Sequence, residues 1–222
     1  MAIHRITAAL GAVNAYLVEE DDGFTLVDAL LPRTHKKILA AAASLGAPIR
    51  RILLTHAHGD HIGALDALAA ALPDAEVLIS ARDARLLAKD KSLDAGEPQA
   101  KLRGGFPGAR TRPTRTVAPG ERVGSLAAYA APGHTPGQLA FLDTRDGTLY
   151  AADTYSTLGG VATTAKANPR FPLPAMATWH RPTALETARA MRALDPTGLA
   201  PGHGKVVEAP GPAMDRAIAR AA

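Results

Sequence analysis

The sequence predicts an α/β protein in which two β-sheets pack face to face with helices on their outer sides. This fold class is suggested by two β-rich halves that are each followed by helical segments. Hydrophobic residues make up 47 % of the chain, which is ample for a core, and we find no internal repeat. At 222 residues the chain has the length of one large domain or two small ones.

The first half alternates strand and helix signals. A DDG turn between NAYLVEE and FTLVDALL is typical of a β-hairpin, and a glycine ends the first helical segment. An apolar run then indicates a buried strand, and Pro73 ends the next helix. The predicted elements are strands at 14–20, 24–31, 49–56 and 76–80, and helices at 33–46, 61–72 and 81–90.

The second half begins with a long Gly- and Pro-rich loop over 91–114, a feature that is often functional in compact domains. Apolar and alternating runs then predict a second β-rich block up to residue 153. Residues 154–182 are predicted as loop with short helical turns. The last predicted elements are a helix at 183–195, a strand running into a glycine-rich turn at 198–204, and a helix at 211–222.

Composition narrows the function classes. The chain has no cysteine, which excludes disulfides and thiolate metal ligands. No apolar run is long enough for a secretory signal or a membrane span, so we expect a cytoplasmic protein. Five cations and no acid lie between Glu97 and Glu121. The net charge of +4 therefore leaves −1 (4 − 5) for the rest. This segment is either a solvated loop or an anion-attracting one, and it is too short to indicate nucleic-acid binding.

Residues 53–63, LLTHAHGDHIG, hold three of the eight histidines and an aspartate. In an extended chain, His56 and His58 point to one side because they are two residues apart. Asp60 and His61 follow on the turn before the next helix. The competing interpretation is a polar loop with Asp60 capping that helix. So many ligand-type residues within six positions favour a metal site.

Three later stretches share one design, a strand followed by a turn of small residues that exposes a ligand. They are APGHTPG with His134, LYAADT with Asp153 and LAPGHG with His203. Glycine allows the backbone to approach a metal or substrate closely. Five histidines and two aspartates are too many for one tetrahedral ion. They suit two divalent ions about 3.5–4 Å apart that share an aspartate.

The motifs THAHGDH, PGHTPG, AAD and PGHG, in this order, resemble those of the metallo-β-lactamase-fold hydrolases, and the resemblance covers the whole chain. It implies one domain over residues 1–222, a four-layer αβ/βα sandwich with two mixed β-sheets flanked by helices. One ion would take His56, His58 and His134. The other would take Asp60, His61 and His203, with Asp153 as the bridge. The family also uses the aspartate at the position of Asp60 to orient the attacking water, which makes Asp60 the implied catalytic residue.

The resemblance further implies a hydroxide between two divalent ions, with zinc expected and iron or manganese as alternatives. Such an enzyme would cleave an ester, lactone, thioester or phosphoester bond of a small molecule. Two other functions stay open. One is an oxidoreductase with a single iron, similar to persulfide dioxygenases; the other is a non-catalytic metal-stabilised or nucleic-acid-binding module. A homodimer is a reasonable expectation.

Loops are expected to form the substrate pocket. Its candidate residues are Phe106, Tyr155, Trp179 and His180. Phe106 and Trp179 could instead hold their loops down, Tyr155 could be ordinary packing, and His180 could cap the helix that follows it. Cations within 101–115 could attract an anionic substrate.

Overall fold

A computed structural model describes residues 3–222 of the chain. The chain forms two compact units. The first contains the residues up to 90 together with 106–117, and the second contains 91–105 and 118–222. Each unit is built around its own mixed β-sheet. That residues 1–222 form a single domain stays a prediction.

The first unit has a six-stranded sheet in the order β1-β2-β3-β4-β5-β6. Its strands are β1 (His4–Ala8), β2 (Val13–Glu20), β3 (Gly23–Val27), β4 (Ile49–Leu53), β5 (Glu76–Ile79) and β6 (Arg115–Thr116). The first three strands pair antiparallel, whereas β3 to β6 pair parallel. The predicted hairpin around the DDG turn is therefore confirmed.

The helices of the first unit lie between the parallel strands. They are α1 (His35–Ser44), α2 (Gly59–Ile62), α3 (Leu65–Ala71) and α4 (Ala81–Leu87), with a 3₁₀ turn at Ala9–Gly11. The single helix predicted over 61–72 is two helices, α2 and α3. They meet at Gly63, where any side chain would collide with the backbone of Pro32, so the chain can turn closely only at glycine.

The second unit has a seven-stranded sheet in the order β13-β12-β10-β9-β8-β7, with β11 paired to β10. Its strands are β7 (Arg122–Val123), β8 (Leu126–Ala130), β9 (Leu139–Asp143), β10 (Thr148–Ser156), β11 (Ala162–Thr163), β12 (Gly198–His203) and β13 (Val207–Glu208). Only β10 and β12 pair parallel. Because β10 extends to Ser156, the irregular segment predicted from 154 starts later than expected.

Helices cover the second sheet. They are α5 (Leu173–Met176), α6 (Arg181–Ala193) and α7 (Gly211–Ala221). Met191 of α6 and Met214 of α7 are buried in one cluster with Leu149 and Leu199 of the sheet. The predicted loop over 91–114 contains no helix or strand, as expected. Within residues 3–222, no helix is long and apolar enough to span a membrane.

Candidate metal-binding residues

In the first unit, His56 and His58 lie on the turn between β4 and α2, and Asp60 and His61 lie in α2 itself. The imidazoles of His56, His58 and His61 are buried. Ring centroids are 4.1 Å apart for His56 and His61 and 4.9 Å apart for His56 and His58. The carboxylate of Asp60 is 33 % exposed and lies 3.9 Å from Nε2 of His61. The turn and α2 together therefore group all four side chains, as the sequence predicts.

A buried aspartate that sequence reasoning missed supports this group. Asp28 follows β3, and its Oδ2 accepts a hydrogen bond from His61 Nδ1 at 2.7 Å. Its Oδ1 accepts from the backbone N–H of Thr55 at 2.8 Å, and the Thr55 hydroxyl donates to Oδ2 at 2.8 Å. Asp28 has a φ of 64°, a left-handed conformation that aspartate tolerates better than most residues. The only sign of this role in the sequence is an aspartate that directly follows an apolar strand.

This network sets the proton positions of two histidines. A carboxylate only accepts hydrogen bonds, so His61 must donate from Nδ1–H. The single proton of the Thr55 hydroxyl is directed at Asp28, and its oxygen therefore accepts from Nδ1 of His56 at 3.0 Å. Both imidazoles are thereby held with a lone pair on Nε2, the form that binds a metal ion.

A second buried aspartate fixes the backbone of the same turn. Asp83, in α4, is fully buried and accepts from the backbone N–H of Ala57 at 2.9 Å. Ser80 caps α4 by accepting from the N–H of Asp83 at 3.0 Å. Asp83 therefore links the start of α4 to the residue between His56 and His58.

In the second unit, strands of the sheet bring the other predicted ligands together. His134 follows β8, Asp153 lies in β10 and His203 ends β12, and all three are buried. Oδ2 of Asp153 lies 3.0 Å from Nε2 of His203 and 3.3 Å from Nε2 of His134. One carboxylate oxygen therefore faces two imidazoles; that Asp153 bridges two ions stays a prediction.

Backbone irregularities position Asp153 and His134. The register of β10 against β12 shifts on both sides of Ala152, whose φ is 48°. A bulge of this kind redirects the next side chain, here Asp153. Gly133 has a φ of 125°, and a side chain there would collide with the backbone of Ala184. Only glycine therefore allows the turn before His134.

The proton positions in this group fit the binding of a cation. Thr178 donates its hydroxyl proton to the Pro174 carbonyl at 2.9 Å, so its oxygen accepts from Nδ1 of His134 at 3.0 Å. When His134 is neutral, the lone pair of its Nε2 and the Asp153 carboxylate face each other at 3.3 Å. A metal cation bound to both would balance the two electron-rich atoms. The donor set therefore fits a metal ion.

The four predicted pocket residues make different contacts in the structure. The Phe106 ring packs on His58, with centroids 4.5 Å apart. Trp179 is buried; its Nε1 donates to the Ala100 carbonyl at 2.9 Å, which fastens the 91–105 loop. His180 caps α6, with Nδ1 2.7 Å from the Thr183 hydroxyl. Phe171, which was not among the candidates, lies against His203 with ring centroids 5.5 Å apart.

Tyr155 lies in the core instead of in a pocket wall. Its side chain is fully buried in the apolar cluster of the second unit, and its hydroxyl donates to the Ala188 carbonyl at 2.7 Å. Burial raises the pKa of this phenol well above its usual range. The assignment of Tyr155 to a substrate pocket is therefore corrected: its side chain, which extends from β10, packs in the core and is bonded to α6.

Comparison with known proteins gives a consistent family assignment. The family model described as the metallo-beta-lactamase superfamily matches residues 8–203. YobT of Bacillus subtilis (strain 168) is 48 % identical over 214 residues, covering 96 % of this chain and 92 % of YobT. The hydroxyacylglutathione hydrolase of Xanthomonas euvesicatoria pv. vesicatoria (strain 85-10) is 32 % identical over 143 residues, covering 64 % of this chain and 46 % of that enzyme.

A solved structure extends the likeness to the fold. The di-iron-bound form of TTHA1623 superposes with a TM-score of 0.68 at 26 % identity, covering 93 % of this chain and 95 % of that one. The predicted fold class, two mixed β-sheets flanked by helices in an α/β sandwich, is confirmed.

Proposed function

Because the chain belongs to the metallo-β-lactamase superfamily, we propose that it is a hydrolase with two metal ions that cleaves an ester, lactone, thioester or phosphoester of a small molecule. The observation that carries the proposal is the proton arrangement of the histidines. Protein acceptors hold Nδ1–H of His56, His61 and His134, which reserves Nε2 of each for a metal ion.

We propose that the two ligand groups act together. In this proposal one ion takes His56, His58 and His134, the other takes Asp60, His61 and His203, and Asp153 bridges them. The di-iron form of TTHA1623 supports a site for two ions. The absence of cysteine limits the set to nitrogen and oxygen donors, which suit zinc, iron or manganese.

Two bound ions would supply a hydroxide at neutral pH, because they lower the pKa of bound water. In the proposal, Asp60 orients the nucleophile. Its carboxylate is the most exposed of the first-unit ligands, so it is the one best placed to accept a hydrogen bond from an attacking water. The Phe106 ring, which packs on His58, would contribute an apolar wall beside the reaction.

The bond class is the finer part of the proposal. The Xanthomonas relative is named for hydrolysis of a hydroxyacylglutathione, which makes a thioester the first class to test. This chain matches only 46 % of that enzyme, and whatever the remainder contributes to glutathione recognition is not carried over. We therefore propose hydrolysis of an acyl thioester, without proposing that glutathione is the thiol part of the substrate.

The test is a hydrolysis screen with the metal-loaded chain. It uses an acylglutathione, p-nitrophenyl acetate, a γ-lactone and bis-p-nitrophenyl phosphate. We expect turnover of at least one class, and a kcat at least about 100-fold lower for Asp60→Asn. Asp74→Asn, an exposed aspartate of the same unit, is the matched control and should keep the wild-type rate.

Two results would contradict the proposal. One is a near wild-type rate for Asp60→Asn with its metal retained. The other is no hydrolysis of any class by a chain that carries two ions, with oxygen consumption in the presence of a persulfide instead.

A further inference from the structure

A cleft of about 670 Å³ opens on the surface of the second unit. It lies between the 159–170 segment and α7, and none of the predicted metal ligands is among its lining residues. Small-molecule pockets in proteins have volumes of roughly 300–1,000 Å³, so the cleft has the size of a ligand site.

Among the residues that the structure describes, four cations line the cleft, and no aspartate or glutamate does. They are Lys166, Arg170, Arg216 and Arg220. Lys166 Nζ donates to the Arg220 carbonyl at 2.6 Å, and Arg220 Nη2 donates to the Val161 carbonyl at 2.6 Å. These bonds tie the segment to α7, and because both acceptors are neutral they leave the positive charge of each side chain in place.

The two remaining arginines carry charges that no side chain of residues 3–222 neutralises by an ion pair. Within residues 3–222, the guanidinium groups of Arg170 and Arg216 make no hydrogen bond or ion pair. Asp215, the chain neighbour of Arg216, is bound by Arg192 through contacts of 2.8 and 3.2 Å. Four like charges around one cleft repel each other, and a bound anion would relieve that repulsion.

We infer that this cleft binds the diphosphate group of a small molecule. Arginine presents a planar fork that matches phosphate oxygens in pairs, and Arg170 and Arg216 approach from two different elements. The apolar side chains of Val161, Ala213 and Ala217 provide a surface for an organic moiety. The diphosphate could belong to a nucleotide or be free pyrophosphate.

The segment that lines the cleft also contacts a predicted metal ligand. At one end, the N–H of Thr157 donates to the His203 carbonyl at 2.9 Å. At the other end, Phe171 packs on the His203 ring. Because residues 159–170 line the cleft, a bound ligand should slow the exchange of their amide protons. This change would locate the binding site independently of activity.

The test is calorimetric titration of the full chain with ADP and, separately, with pyrophosphate at about 0.15 M ionic strength. We expect saturable binding that Arg170→Gln/Arg216→Gln weakens at least about tenfold. The control is Arg33→Gln/Lys36→Gln, two exposed cations of the first unit with the same change in net charge, which should alter the dissociation constant less than about twofold. Tighter binding of ADP assigns a nucleotide; equal binding assigns free pyrophosphate.

If the double variant fails to fold, amide hydrogen exchange of the wild-type chain, measured with and without each probe, still tests the inference. Slower exchange over 159–170 and along α7 with either probe supports the inference. Three results would overturn it: no binding of either probe, equal weakening by both double variants, or slower exchange confined to other segments.

Discussion

The two groups of predicted ligands are assembled by different means. In the first unit, four ligands lie within six positions, and a short turn and the helix after it bring them together. In the second unit, the three ligands are 19 and 50 residues apart (153 − 134 and 203 − 153), and only the pairing of β10 with its neighbours unites them. The first group is local in sequence, and the second depends on the sheet.

The difference extends to what orients the histidines. In the first group one carboxylate, Asp28, orients His61 directly and His56 through Thr55. In the second group a neutral hydroxyl, that of Thr178, orients His134 alone. A charged acceptor binds an N–H more strongly than a neutral one. Loss of Asp28 should therefore cost more than loss of the Thr178 hydroxyl.

The largest expected effect follows Asp28→Asn. An asparagine amide would face the Nδ1–H of His61 with a donor or would lose its bonds to Thr55, so the proton of His61 is no longer held on Nδ1. We expect metal affinity to fall about 10- to 100-fold, measured by competition with a chromogenic chelator. Asp74→Asn is the control. Unchanged affinity in the Asp28→Asn variant would refute the supporting role of Asp28.

A smaller loss of affinity is expected for Thr178→Val, which keeps the shape but removes the acceptor of His134. We expect at most about a tenfold loss in the same assay. Thr163→Val is the matched control, because the hydroxyl of this buried threonine has no hydrogen-bond partner within residues 3–222. A loss as large as that of Asp28→Asn would break the contrast between the two groups.

Asp66 accepts hydrogen bonds from Arg110 and Thr111, which lie in the 106–117 segment of the first unit. The stabilisation that these bonds provide should depend on pH. Burial acts to raise the pKa of Asp66, but hydrogen bonds from Thr111 and Arg110 outweigh it and lower the pKa. Since the folded pKa lies below the unfolded one, the contribution is complete above the unfolded value of 3.8. It is lost as pH falls through the lowered folded pKa.

We therefore expect Asp66→Asn to reduce the free energy of unfolding by about 1 kcal/mol at pH 7, and the gap to wild type to narrow toward pH 3. Urea titrations at both pH values measure it. A gap that widens on acidification would reverse the sign of the proposed linkage.

The smallest effect should be confined to the core of the second unit. Tyr155→Phe removes only the hydrogen bond to the Ala188 carbonyl, so we expect a loss of about 1 kcal/mol in unfolding free energy. Metal affinity and kcat should stay unchanged. Tyr129→Phe, a partly buried tyrosine of the same unit, is the control. A change in KM for Tyr155→Phe would restore a substrate role.

The sequence predicts the parts of this fold that depend on local patterns. The hairpin around residues 21–23 and the helix α6 follow from turn residues and periodicity. The break at Gly63 does not, because it comes from contact with Pro32, thirty-one residues earlier in the chain (63 − 32).

The same distinction holds for the ligands and their supports. The histidines could be found because their spacing and flanking glycines carry a signal. Asp28 and Asp83 could not be distinguished from ordinary strand-end and helix residues, since their roles arise from tertiary hydrogen bonds. Tyr155 is predicted to lie in a loop, and the sequence does not reveal that β10 continues to Ser156 with the side chains at 151 and 155 facing the core.

The most direct test of the central claim is the metal content of the chain, purified without chelators or a metal-binding tag, by elemental mass spectrometry. We expect about two divalent ions per chain, falling to about one or none for His134→Ala and for His61→Ala. One iron per chain, or no metal after reconstitution with zinc, iron and manganese, would contradict it.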